Sequence, residues 1–490
     1  MRPERGSHKL VGWGDEGRGV AYTHYDRLSA LDATFLGFED ANVHMHVAAI
    51  AIFEAAPLLD VDGALDVDRV RDQVESVLGE TPRFRQKLSR IPLFDHPVWV
   101  DDARFNLTYH VRHTALPRPG GVRQLKRLAG RILSQKLDRE KPLWEMWVVE
   151  GVEGERFAII AKAHHCMVDG ISGMDLLARM MRLDPDPTIE PPGRWIPRPA
   201  PDGARMVADE VLYRASFPAA LAGEVLRSIT RPRELAGRIW EQAAALQETV
   251  AMGMWPTTST PLNEDIGPYR RFDWTRHDLS AVREIRKRFG GTLNDVVLST
   301  AAGALGRFLE VRGVDVRNAT FRAQVPVSTR VAGDSQAGNR VIMLMAALPI
   351  GESDPVKRLK LVHETMKKTK RSRQRFGVQL IEDLSDRTAP MIWMNFARFA
   401  TRQRTFNVVI TNVPGPQRPV YLLGARMDAI YPLVPLAQQQ ALGIALFSYD
   451  GTLHWGLHAD WDALPDLHEL SVGLDEEFER LHKVAVRAGS

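Results

Sequence analysis

His164 and His165 stand side by side, followed by Cys166, Met167, Val168, Asp169 and Gly170. Three chemistries could use such a cluster. A neutral imidazole, with an ordinary pKa of about 6.5, can take a proton from a hydroxyl near neutral pH. Two imidazoles and a carboxylate could ligate a metal. The thiol between them could carry an acyl group as a covalent nucleophile. The run lies where an apolar strand (RFAIIAKAHH) meets a helix (ISGMDLLARMM), a place where functional side chains are often presented. Adjacent residues on a strand point to opposite faces, which disfavours a metal site built from His164, His165 and Asp169. His44 and His46 alternate on an earlier strand, and a pocket-wall or core role is expected of them before metal ligation.

The elements that hold these residues follow from periodicity. LSALDATFLGFED, from Leu28 to Asp40, reads as a short capped helix or turn, and VHMHVAAIAIFE, from Val43 to Glu54, as a strand. Val70, Val74 and Leu78 mark an amphipathic helix, as do Val122, Leu125, Leu128, Ile132 and Leu133. The other face of that second helix carries Arg123, Lys126, Arg127 and Arg131. Strands alternating with helices predict a mixed α/β architecture. Seven prolines between Asp184 and Asp202 make the best boundary, and Ala204 to Met254 then reads as helical. A second α/β half begins near Tyr269. It includes a long helix opened by Asn294 or Thr292, strands such as ALGIALFSYDG and TLHWGLHAD, and a closing amphipathic helix. The expected division is a flexible leader (1–24), an N-terminal domain (25–184), a Pro-rich linker and helical connector (185–260) and a C-terminal domain (261–490).

Composition excludes several classes. The chain has 490 residues with 64 Lys and Arg against 61 Asp and Glu, so its formal charge is +3. That balance argues against a dedicated nucleic-acid binder. Cys166 is the only cysteine, which rules out an intrachain disulfide and an all-cysteine metal site. No run reaches the roughly 18 apolar residues of a membrane-spanning helix, and the charged, Gly-rich start lacks the apolar core of a secretory signal. A cytoplasmic protein is expected, with any membrane contact peripheral.

The HHxxxDG arrangement of His164 to Gly170 resembles the signature of the CoA-dependent acyltransferase superfamily. Further blocks narrow the resemblance. Pro142-Leu143-Trp144-Glu145, Asn294-Asp295, and Asn412 to Pro416 (NVPGP) look like motifs of the bacterial wax ester synthase/diacylglycerol acyltransferase family. The opening block with Met45-His46-Val47, and RAQVPVSTR, are similar to the same family, in family order from about Leu28 to Asp460. One departure is ANVHMHV, where the family commonly has a proline near the Met-His pair. The resemblance implies two chloramphenicol-acetyltransferase-like α/β domains with the site between them. It implies acyl-CoA as co-substrate, diacylglycerol or a long-chain alcohol as acceptor, and no bound metal or organic cofactor.

Such a transfer needs a base for the hydroxyl proton, a donor for the tetrahedral oxyanion, and a place where both substrates meet out of water. The resemblance assigns the base to His165 and leaves His164 to packing and hydrogen bonding. It pairs Asp169 with an arginine, for which Arg330 is the candidate, and Gly170 permits the tight turn. Asn294 is a candidate oxyanion or hydroxyl donor, or simply a helix cap. Asp295 completes that motif, and Glu39, His46 and Asn412 are candidates for contact with substrate. The basic run of Lys357, Arg358, Lys360, Lys367, Lys368, Lys370, Arg371, Arg373 and Arg375 is a solvated helix face, an attractor for CoA phosphates, or one for anionic lipid of a membrane or droplet. The helical connector, with Phe217, Leu221, Trp240 and Trp255, covers the core or rests on lipid. The alternatives are acyl transfer to other cell-surface lipid or polyketide esters, and a non-catalytic lipid-binding or droplet protein of the same fold. The intact His165, Asp169 and Gly170 argue against the last.

Overall fold

Among the described residues, the β-branched and alternating runs of the sequence form strands that assemble into three sheets. The computed structural model describes residues 24–167, 175–215, 256–328, 341–371 and 404–488. A small sheet places β1 (Asp26–Arg27) beside β4 (Pro97–Asp101) and β4 beside β3 (Gln86–Arg90). The first large sheet centres on β2 (His46–Glu54), β6 (Trp144–Val152) and β7 (Arg156–His164), with the short parallel strand β5 (Val111–Ala115) at one edge. β2 and β7 run antiparallel with Ile50 opposite Ile160 and His46 opposite His164. Ala49, Ile50, Ala51, Ile159 and Ile160 are wholly buried, so this strand pair is core along its middle.

The second large sheet has the order β10 (Val341–Ala347), β9 (Arg322–Ser328), β11 (Val408–Pro414), β14 (Leu442–Tyr449), β15 (Thr452–Asp460), β8 (Arg270–Asp278). Asp450 and Gly451, both with positive φ, close the two-residue turn between Tyr449 and Thr452, the hairpin chemistry that an Asp-Gly pair favours. Four helices make its apolar layer: α7 (Leu279–Phe289), α8 (Leu293–Glu310), α9 (Pro355–Arg371) and α10 (Leu467–Arg487). The small residues of α8 let its neighbours approach. A Cβ on Gly306 would fall 2.0 Å from the Ile350 carbonyl oxygen. Arg358, expected on the solvated basic face of α9, is instead buried there. It pairs with Glu477 and donates to the Ser299 and Glu352 carbonyls, because the helix turns that position into the layer.

The earlier helices are α1 (Ala30–Phe38), α2 (Val67–Val77), α3 (Leu107–His110), α4 (Val122–Leu133), α5 (Asp175–Met180) and α6 (203–215). Ser29 caps α1 by accepting from the Asp32 N–H, as the opening block predicts. One face of α4 buries Leu125, Ala129 and Ile132 with Ile50 and Ile160 of the first sheet. Gly130 lets the same helix touch β8 of the second sheet, since a Cβ there would lie 2.8 Å from the Arg270 carbonyl oxygen. Lys126, read on the face opposite the apolar one, pairs with Asp273 of β8 and lies over Trp274. The helix is therefore the joint between the halves.

Two findings bear on the expected division. Strands β12 (Tyr421–Leu422) and β13 (Ala425–Leu433) complete the first sheet, with Leu433 opposite Ala48 and Tyr431 opposite Ile50. The stretch after 261 thus does not stay in one unit. The physical reason is that β2 has a second edge whose backbone groups need partners, and β13 supplies them. The Pro-rich run is bound to the first half: Arg198 pairs with Asp101, and the Pro199 carbonyl accepts from the His24 N–H. Met206 of α6 then joins Ile91, Val98 and Val100. Phe217, Leu221, Trp240 and Trp255 of the expected connector, and Arg373 and Arg375 of the basic run, lie outside the described residues.

Candidate active site

The sheet delivers one histidine and the turn after it delivers the other. His164 ends β7, and its N–H donates to the Leu143 carbonyl at 2.9 Å. The chain then leaves the strand in a single 3-10 turn, His165–Met167, and the His165 N–H donates to the Met45 carbonyl at 2.8 Å. Met45 accepts it from φ 47, a left-handed conformation that is uncommon outside glycine. The His165 ring lies against Phe35 of α1, with centroids 4.0 Å apart, and its Nδ1 is buried with no hydrogen-bond partner among the described residues. Burial pushes the His165 imidazole down to about 4, and the neighbouring His164 adds to the effect. The ring is therefore neutral at neutral pH and able to accept a proton.

His164 is bonded through one ring nitrogen. Its Nδ1 accepts the Cys166 N–H at 3.2 Å, which assigns its own proton to Nε2. That nitrogen faces Glu39 Oε2 at 3.6 Å, a separation longer than a hydrogen bond. Glu39 is braced by Arg139, whose Nε donates to it at 2.8 Å and which also donates to the Leu36 carbonyl. Burial would raise the Glu39 carboxyl, but pairing with His164 and Arg139 outweighs it and holds the group below its usual range. For His164 burial outweighs the carboxylate, so the ring is held below its ordinary value. His164 Nε2 is buried and has no hydrogen-bond partner among the described residues.

His46 faces His164 across the β2–β7 pair and is wholly surrounded by protein. Burial, then the charge of Lys162, push it well below its ordinary value. Its ring is 5.6 Å from that of His44 and 6.2 Å from that of His164, a spacing of packed side chains. Among the described residues no group of three His, Cys, Asp or Glu side chains could hold a metal. Cys166 is buried, and burial pushes its thiol well above the ordinary range, which makes it a poor nucleophile.

The other motifs support the strand ends. Trp144 donates from Nε1 to the Phe84 carbonyl at 2.7 Å and stacks on His110 at 4.6 Å. Glu145 pairs with Lys162 at 2.5 Å and with Arg112 at 3.3 Å. Lys162, fully buried, also donates to the Ile132 and Gln135 carbonyls and so ties β7 to the end of α4. In the NVPGP turn, a Cβ on Gly415 would fall 2.2 Å from the Phe447 ring, so glycine is needed for close approach. Asn412 lies half-buried on β11 opposite Leu446, with its Oδ1 buried and unpartnered among the described residues. The cap of α8 is Thr292, reciprocally bonded with Asp295, which also bonds His363 at 2.8 Å. Asn294 stands in the first turn of α8, and the capping role weighed for it belongs to Thr292. Asp169, Gly170 and Arg330 lie outside the described residues.

Phe35, Arg139 and Lys162 are the site-supporting residues that sequence reasoning missed. Phe35 and Glu39 are four apart in a helical block, a spacing that could have pointed to a shared face.

Comparison with known proteins identifies the family. Residues 28–297 match the wax ester synthase/diacylglycerol acyltransferase catalytic domain, and residues 337–482 the C-terminal domain of the same family. The chain is 33% identical to a putative diacylglycerol O-acyltransferase of Mycobacterium tuberculosis over 93% of its length and 90% of the relative's. It is 31% identical to the O-acyltransferase WSD of Acinetobacter baylyi, covering 94% of this chain and 98% of that one. Its fold superposes on the wax ester synthase/diacylglycerol acyltransferase of Marinobacter aquaeolei with a TM-score of 0.67 and 28% identity, over 94% and 99% of the two chains. A starter condensation domain of a rhizomide synthetase shares the fold at a TM-score of 0.55 and 12% identity, covering 94% of each chain. The chain, with its histidine pair at the end of β7, belongs to the wax ester synthase/diacylglycerol acyltransferase family and is an O-acyltransferase.

Proposed function

We propose that the enzyme transfers an acyl group from acyl-CoA to the free hydroxyl of diacylglycerol, giving triacylglycerol, and accepts long-chain alcohols as second substrates. The observation that carries the reading is the neutral His165 ring, which lies against Phe35 while its own backbone N–H is held by the Met45 carbonyl. With Nδ1 buried, Nε2 is left to meet the acceptor hydroxyl. It takes the hydroxyl proton as the oxygen attacks the thioester carbonyl. The C–S bond then breaks, and the leaving CoA thiolate recovers the proton from His165, so no proton is gained or lost overall. The Asn294 amide is the candidate donor to the oxyanion. Incubation of the purified protein with radiolabelled oleoyl-CoA and either dioleoylglycerol or hexadecanol tests the substrates. His165→Ala tests the base, with an expected loss of about 10²–10⁴ in turnover. A folded His165→Ala protein with half of the wild-type kcat would end the reading.

Peripheral lipid contact through Lys360, Lys367, Lys368 and Lys370 of α9 belongs to the same proposal. Among the described residues no helix is long and apolar enough to cross a membrane. Each lysine near an anionic surface contributes about 1 kcal/mol, so flotation with anionic liposomes should show binding that salt weakens. Equal binding to neutral liposomes at high salt would sink this part.

A further inference from the structure

Phe35 and Glu39 lie one turn apart, Phe35 within α1 and Glu39 at its C-terminal cap. Residues so spaced share a helix face. Each meets a different member of the histidine pair: the Phe35 ring is 4.0 Å from the His165 ring, and Glu39 Oε2 is 3.6 Å from His164 Nε2. Arg139 fixes this face by bonding both Glu39 and the Leu36 carbonyl. Phe35 also packs against two apolar clusters, the core of the first half and the group of Val43, Met45, Ile266 and Leu436 that joins the halves.

We propose that α1 positions the base, with Phe35 and Glu39 as positioning residues for acyl transfer. Phe35 holds the face of the His165 ring. Glu39 presents its carboxylate to His164 Nε2 at 3.6 Å, and the Nδ1 of the same ring accepts the Cys166 N–H in the turn from which His165 projects. Neither residue touches the reacting atoms. The proposal rests on the reading of His165 as the base. Core filling alone is the competing account of Phe35, and it makes a different forecast. A filler residue changes stability and leaves the kcat of folded protein alone, whereas a positioning residue lowers kcat without a matching change in KM.

The test measures kcat and KM separately, for oleoyl-CoA and dioleoylglycerol, in folded Phe35→Ala, Phe35→Leu, Phe35→Tyr, Glu39→Gln and His165→Ala proteins. A misplacement of about 1 Å costs up to about 10²-fold, so Phe35→Ala should lose roughly 10- to 100-fold in kcat with KM nearly unchanged. Phe35→Leu keeps apolar bulk but no ring and should show the same kind of loss, which keeps the test alive if Phe35→Ala does not fold. Phe35→Tyr keeps the ring and should restore most of kcat. Glu39→Gln keeps shape without charge and should also lower kcat. Wild-type kcat in both Phe35→Ala and Phe35→Leu, or a loss confined to KM, overturns the role of Phe35. Unchanged kcat in Glu39→Gln overturns that of Glu39. If His165→Ala itself stays active, the base reading has failed. If His165→Ala is inactive and the α1 variants are normal, only the positioning proposal has failed.

Discussion

The helical layer on the second sheet and the paired ends of β2 and β7 are both buried, yet the first is filled mostly by aliphatic side chains and the second by imidazoles. In the layer, Ala301, Ala302, Leu305 and Leu309 of α8 pack against Leu470 and Leu474 of α10, and its buried Arg358 has a carboxylate and two carbonyls for partners. At the strand ends, among the described residues, His46 has neither ring nitrogen bonded and His165 has Nδ1 unpartnered, and Met45 holds a left-handed backbone. Burying an unbonded polar group costs free energy, and so does the strained backbone. The difference sets a layer where apolar packing makes stability against strand ends where part of it is spent on burying unbonded imidazole nitrogens.

The largest effect should come from separating the halves. Expressed apart, residues 1–202 and 203–490 should give no turnover, because the first piece lacks β12 and β13 and leaves an edge of β2 unpaired. Full activity in the first piece would break the comparison outright, since the strand ends would then need nothing from the second half.

Point substitutions sharpen it. Leu305→Ala in the apolar layer should cost about 2–5 kcal/mol in denaturant unfolding while leaving kcat of the folded protein near wild type. Glu145→Ala leaves Lys162 buried without its carboxylate and should cost about 3–5 kcal/mol, and here kcat should fall too, because Lys162 anchors β7. Equal kcat in the two variants would mean that strand-end charges serve stability alone.

A smaller effect is expected from acid. Burial lowers His96, His110, His165 and His454 to about 4 and His458 to about 3. The unfolded chain, with histidines near 6.5, binds more protons than the native one between that value and about 4. Their contribution is therefore complete above about pH 6.5 and is lost progressively as pH falls towards 4. Melting temperatures across pH 7 to 4.5 should decline, and His458→Phe should flatten the slope. A flat profile in the wild type would show that these rings are solvated.

Much of this was legible in the sequence, for identifiable reasons. The strand carrying His164, the helix capped near Thr292 and the Asp450-Gly451 hairpin announce themselves by local periodicity and turn chemistry. The motif also singled out the histidine that leaves the strand. Tyr421 to Leu433 was missed because strand pairing is a long-range choice, and nothing local says that β13 joins β2. Arg358 was misplaced, and the pairing of Lys126 missed, because a cation in a basic run gives no local sign of a distant carboxylate. The support that Phe35 and Arg139 give the histidines is likewise visible only once α1 and the loop after α4 are brought together.

The strand that β13 contributes also governs the order of events during synthesis. β2 emerges from the ribosome early, with β7 to pair one of its edges. The strand that pairs the other is translated only after β8, α7, α8, β9 and β11. Throughout that interval the nascent chain carries an open row of amide and carbonyl groups beside an apolar face, the template on which chains aggregate. A late strand that closes an early sheet makes the first half hostage to completion of the second, so truncated or stalled chains are left adhesive as well as inactive.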